Sequence, residues 1–345
     1  MHARNLLPLA CVSALTVLGS AVTPAAHATT RHIVHPGESI QAAVDAAAPG
    51  DIIDVLPGTY PGSVLITSPD LTLRGAGERT VITPGAADAA GACASAGHGI
   101  CVSGTAEQRI TGVRVLSLAV TGFRKTGVMG SHTERMSVRH VFAHDNGEHG
   151  IGQEDSLRGE LTGNVTKDNA QAGLFLADTP DAMGARIARN QASGNRLGVH
   201  IRRGRELVIE HNELTGNCAG VFVVGDETKP SAGALSIRRN EINENNKYCE
   251  GNSRLAHIQG SGIVLTGAQE TRVTGNEVHD NRGESPMSGG IVMFPSFTGS
   301  PTTLNVVSGN VVQGNGPSDL ADRDSAAVNT FERNVCGTSE PAGHC

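Results

Sequence analysis

Seven residues in the middle of the chain combine the side-chain types that proton transfer on an acidic sugar needs: His132, Glu154, Asp155, Asp178, His200, Arg202 and Arg203. The proton beside a uronate carboxylate is only weakly acidic until a cation or strong donors neutralise that carboxylate. Arg202 or Arg203 would pair the sugar carboxylate, and His200 or His132 would act as base or acid. Glu154, Asp155 and Asp178 offer the oxygen ligands that Ca²⁺ takes, and Asp178 would also contact substrate. The plainer reading is a set of solvated charges on a sheet face, stabilised by pairs such as Asp178 with Arg203.

Other candidates are less ordered. His140, His144, Asp145, Glu148 and His149 crowd one bend, where they would bind a metal or simply face solvent as turn residues. Lys247 and Tyr248 lie in an insertion at 246–261, which would either wall a substrate groove or form a tied-down surface loop. The net charge of −7, with no Lys/Arg-rich block, excludes nucleic acid as the main partner. With no Trp and two Tyr, the chain lacks the flat faces on which neutral sugars usually stack. Uronates, which Arg and Lys hold, suit it better.

A repeat must position these residues. One Asn recurs with another five positions later, at 164/169, 190/195, 212/217, 240/245, 276/281 and 310/315. A Gly followed by an aliphatic residue comes shortly after, as in Gly150-Ile151, Gly173-Leu174, Gly198-Val199 and Gly220-Val221. Most steps are 22 to 25 residues, and two are stretched by insertions at 246–261 and 282–289. Each unit holds short alternating strands that cannot bury their apolar side alone, so stacked coils about 4.8 Å apart must complete the core. The gaps are too short for the helices of an open α/β sheet. The expected fold is all-β, a single-stranded right-handed parallel β-helix over residues 29–345. Its cap covers about 31–60, with a short helix presenting Ile40, Ala43, Val44 and Ala47, and its C-terminal cap or tail about 317–345. Counting from the Gly, the residues one and three later point inward, and those two and four later point to solvent. Charge then gathers on about four adjacent turns.

The first 28 residues read as a secretory signal: a weakly basic start, an apolar run from Leu6 to Val22 and Ala26-His27-Ala28 before the cleavage point. The mature protein is expected outside the cell, monomeric and without a membrane span. Six cysteines remain after cleavage, an even number that favours disulfides in an exported chain. Fifteen connectivities are open, and local pairing is expected: Cys93–Cys101, Cys218–Cys249 and Cys336–Cys345.

The opening run Ser39-Ile40-Gln41-Ala42-Ala43-Val44, with Pro49-Gly50-Asp51, Leu56-Pro57-Gly58-Thr59-Tyr60 and Leu73-Arg74-Gly75-Ala76-Gly77, resembles that of pectin-lyase-fold proteins with parallel β-helix repeats. That superfamily includes pectate lyases, polygalacturonases, alginate epimerases and the accessory β-helix proteins of nitrous oxide reductase. Gly150 to Ser156 also resembles the catalytic turn of alginate epimerases, which has Asp-Pro-His-Asp where this chain has Gly152-Gln153-Glu154-Asp155. Asp155 carries over, and Glu154 stands in place of the family's His. The resemblance implies a carbohydrate-active lyase or epimerase acting on an acidic polysaccharide, with Ca²⁺ as the one cofactor to consider. The rival is a noncatalytic extracellular β-helix that binds glycans or serves as a scaffold.

Overall fold

The structure, a computed structural model, describes residues 29–85, 91–251, 255–324 and 328–345. The signal sequence expected at 1–28 lies outside the described residues. Each coil contributes one strand to an 11-stranded parallel sheet and two shorter strands to a 21-stranded sheet that bends around an Asn corner. The coils stack in one register, so the chain is a right-handed parallel β-helix. Ile151 pairs with Leu174, Leu174 with Val199, Val199 with Val221, Val221 with Ile263 and Ile263 with Ile291, making one fully buried interior row.

The corners explain the Asn repeat. Asn190 donates its side-chain amide to Leu161 O at 2.9 Å and to Asn212 Oδ1 at 2.9 Å, and Asn212 Oδ1 also accepts the Asn190 backbone N–H at 3.0 Å. The same three bonds recur from Asn164 through Asn310 on one corner and from Asn146 through Asn315 on the other. Each buried amide thus satisfies backbone groups that no strand can reach. The residue ahead of each ladder Asn has left-handed backbone, as at Asp168 (φ 51°), Arg189 (φ 55°), Gly194 (φ 68°) and His211 (φ 54°). That conformation disfavours β-branched residues, which accounts for the Gly, Asp, Arg and His found there. His140 (φ 52°) and Asp145 (φ 54°), in the crowded bend, are corner residues of this kind.

The helix Ile40–Ala46 closes the first coil, capped by Ser39 Oγ accepting the Ala42 N–H at 3.2 Å, with Ile40 and Val44 buried in the core and Ala43 and Ala47 packed against it. All three local disulfides form: Cys93–Cys101, Cys218–Cys249 and Cys336–Cys345. Among the described residues no helix is long and apolar enough to cross a membrane.

One expectation needs correction. The residues two after each Gly do point out of the coil, yet Phe175, Phe222, Val264 and Val292 are buried rather than solvated. Ile258 and the Cys218–Cys249 bridge from the 246–261 insertion, with Met287 from the second insertion, cover them in an apolar cluster outside the main core. Strand alternation tells which face a residue takes; it does not tell what later lies on that face.

Replacing Asn212 by Ala leaves the Asn190 N–H and amide without their buried acceptor. A stability loss of roughly 3 kcal/mol or more is expected. Asn243→Ala, which removes one exposed side-chain contact, is expected to cost under about 0.5 kcal/mol. Urea unfolding of the two variants measures the difference.

Candidate functional site

The eleven-stranded sheet carries its charges on two neighbouring rows. Glu154, Ala177, Arg202 and Val224 are register partners on successive coils, so Glu154 and Arg202 stand two coils apart. The residues that follow Ser131, Glu154, Ala177 and Arg202, register partners on four coils, turn the corner with left-handed backbone: His132 (φ 51°), Asp155 (φ 46°), Asp178 (φ 54°) and Arg203 (φ 52°). Arg202 donates to Asp178 at 2.6 Å and to Glu154 at 3.3 Å. Arg203 also bonds Asp178, and reaches Asp226 at 3.4 Å. Glu154, Arg202, Asp178, Arg203 and Asp226 therefore form one chain of alternating charge. Asp155 lies beside His132 at 3.9 Å, and its backbone carbonyl accepts from Arg109.

The carboxylates do not fit a Ca²⁺ cage. Asp178 is engaged by two guanidiniums, Glu154 shares one of them, and among the described residues no three His, Cys, Asp or Glu side chains could hold an ion together. A cation of higher charge would have to displace the arginines first.

Beside this network lies a cleft of about 590 Å³, bounded by Arg196, His149, Phe175, His200, Leu255 and Phe297 among others. The 246–261 insertion walls it through Leu255. Lys247 and Tyr248, expected to contact substrate, are not in the lining: the Lys247 ammonium bonds Gly194 O, and the half-exposed Tyr248 ring stacks on His257 at 5.4 Å.

Two imidazoles flank Phe175, His149 at 4.1 Å and His200 at 5.2 Å between ring centroids, and the Arg202 guanidinium sits 5.3 Å from the Phe175 centroid. Burial lowers the pKa of His200 to about 3, with the Arg202 and Arg196 charges adding to it. Burial likewise lowers His149 to about 3, helped by His200 and Arg202. Both rings are neutral near pH 7. His149 Nδ1 accepts the Ala172 N–H at 3.1 Å, so its proton sits on Nε2 and the ring is a donor there. His200 makes no hydrogen bond among the described residues and keeps a ring nitrogen open as acceptor. Burial raises the Glu154 carboxyl, against the opposing pull of Arg202.

Arg196 completes the site and was missed from the sequence because it directly follows the ladder residue Asn195 and resembles any corner residue. One of its nitrogens donates to Glu250 O at 2.8 Å, while Nη2 is buried with no partner, and no carboxylate pairs it among the described residues. His149 was visible only as one of five polar residues at a bend; its pairing with His200 across Phe175 needs three coils in register.

The family model described as "Right handed beta helix region" matches residues 92–240. No curated protein matches the chain by sequence. Among solved structures, the A-module of the Azotobacter vinelandii mannuronan C-5 epimerase AlgE6 is similar at 17% identity and TM-score 0.57, covering 87% of this chain and 93% of that one. A periplasmic alginate epimerase AlgG double mutant is similar at 13% identity and TM-score 0.58, covering 84% and 71%. DFA-IIIase from Arthrobacter chlorophenolicus A6 without its lid is similar at 14% identity and TM-score 0.58, covering 91% and 97%. Identities this low speak to fold alone.

Because His149 and His200 are depressed on folding, the unfolded chain binds more protons than the folded one between their unfolded value near 6.5 and about 3. Their stabilising contribution is complete above that upper value and is lost as pH falls through the window. Unfolding midpoints in urea should begin to drop below about pH 6.5. His200→Phe should flatten the fall between about pH 6.5 and 5.5, above the ordinary carboxylate range; an unchanged slope in the variant would contradict a neutral, half-buried His200.

Proposed function

Since this chain is a pectin-lyase-like right-handed β-helix, we propose that its walled cleft binds an acidic glycan and abstracts the proton beside a uronate carboxylate, as a lyase or epimerase. One observation carries the reading: an arginine with no carboxylate partner, Arg196, stands in the same cleft as two imidazoles that burial keeps neutral. Arg196 pairs the sugar carboxylate and acidifies the neighbouring C–H. That pairing also removes one of the charges that depress His200, so substrate binding raises the imidazole toward a useful basicity. His200 then takes the proton at its open nitrogen. His149, with Nε2–H directed by its bond to Ala172, donates to the leaving oxygen or to the opposite sugar face. Arg202 and Arg203, held by Asp178, keep the wall of the cleft rigid. The similar epimerases, named for mannuronan and alginate, support an acidic polymer as substrate. Export through the 1–28 signal and three disulfides would bring the protein to extracellular glycans.

A second reading, a noncatalytic glycan-binding β-helix, is favoured by the low basicity of both imidazoles in the free protein.

The test is a panel of acidic polysaccharides in D₂O, with and without Ca²⁺, followed by absorbance of unsaturated product and by NMR for deuterium at the uronate carbon. Deuterium uptake or cleavage is expected with at least one polymer. His200→Ala should lower kcat by about 10²–10⁴ and Arg196→Gln should mainly raise KM, while Lys247→Ala leaves both unchanged. Neither signal from any polymer, together with retention on an acidic-glycan column, would establish the binding module instead.

A further inference from the structure

Arginines that are far apart in sequence meet on the other side of the β-helix. Arg74, Leu116 and Arg139 are register partners on consecutive coils of the 21-stranded sheet, as are Arg114, Ser137 and Glu160. At the adjoining corner, Arg135 (φ 54°) and Arg158 (φ 52°) occupy left-handed positions. These five arginines, on four consecutive coils, line an open groove of about 810 Å³. Three carboxylates stand against them: Asp54 on Arg74 at 2.6 Å, Glu160 on Arg139, and Glu134 shared by Arg135 and Arg158. Arg114 has no carboxylate partner among the described residues, and it is exposed. The groove is thus net cationic on a chain of net charge −7.

A second feature points to a ligand. Ser137, in the groove lining between Arg114 and Glu160, is 7% exposed, and its hydroxyl has no hydrogen-bond partner. An unsatisfied buried hydroxyl is costly, and a bound group bearing oxygen would relieve it.

We propose that this groove is a second glycan site, which binds an acidic oligosaccharide along the stacking axis through its carboxylate or sulfate-ester oxygens. Guanidinium forks match both kinds of anion in a bidentate way. Each of four consecutive coils, about 4.8 Å apart, carries at least one of these arginines, in neighbouring rows, and that spacing is comparable to one pyranose ring, so successive charged sugars meet successive coils. Ser137 and His140 would take hydroxyls between them. Nucleic acid fits less well: no Phe, Tyr or Trp lines the groove for bases to stack on, and the overall negative charge of the chain repels phosphate. The site lies on a different sheet from the His200 cleft and stands whether or not that cleft is catalytic. In an enzyme it would tether the polymer; in a binding module it would supply a second point of attachment.

The test is fluorescence polarisation of the mature chain with three labelled probes: a polygalacturonate oligomer, a heparin oligomer and a duplex DNA. At least one saccharide should bind with an affinity that falls as salt rises. Arg114→Gln combined with Arg139→Gln should weaken it about tenfold or more, and Ser137→Ala severalfold. Arg196→Gln should leave this component intact, which separates the groove from the cleft. Arg114→Gln alone breaks no ion pair, so its loss of binding with an unchanged melting temperature guards against misfolding. Whichever saccharide binds tighter assigns the anion. Binding unaffected by the groove variants would overturn the proposal, as would DNA binding more tightly than both saccharides.

Discussion

Every coil of this protein must hand its corner backbone groups to the next coil, because the strands themselves leave them unpaired. The buried asparagine ladders perform that transfer, with each amide bonding the coil before it and the coil after it. A one-residue slip would leave a whole row of amides unsatisfied and turn the aliphatic rows outward. From Asn146 onward register is therefore held at two corners of the coil, and the loops beyond them can take insertions. The 36-residue separation of Asn240 and Asn276 shows the consequence: the 246–261 insertion leaves the coil and returns without disturbing the bond between them.

That freedom is what builds the sites. On one sheet, the insertions lie over Phe175, Phe222 and Val264 and turn an outward strand face into a dry wall. Burial then holds His149 and His200 neutral, and the same wall leaves Arg196 facing a cleft without an acid beside it. Next to it, an alternating chain from Glu154 to Asp226 absorbs the charges of Arg202 and Arg203. On the other sheet no insertion covers the arginine rows, and a broad open groove results.

Much of the architecture was legible beforehand, since it rests on periodic features. The Asn pairs, the Gly-aliphatic steps and the helix at Ile40 each report a local need: a corner, a tight bend, a first core to close. The row of Ile151, Leu174, Val199 and Val221 follows from them. The charged row from Glu154 to Arg203 was legible for the same reason. Its internal pairing was less so, because Asp178 can serve as ligand or as ion-pair partner with identical sequence spacing. Arg196 and the Arg74–Arg158 groove carried no signal at all. The first follows a ladder Asn like any corner residue, and the second is assembled from arginines spread over four coils.

The sequence by itself determined the coil, its period and its handed stack, because each depends on residues within one repeat or on the same position of the next; the disulfide pairing was an expectation that the structure settled. Tertiary structure decided which outward residues stay wet, which histidines lose their affinity for protons and which arginines lack an acid. Those properties depend on dielectric and on distance across coils, and both are set by loops whose resting place no repeat encodes.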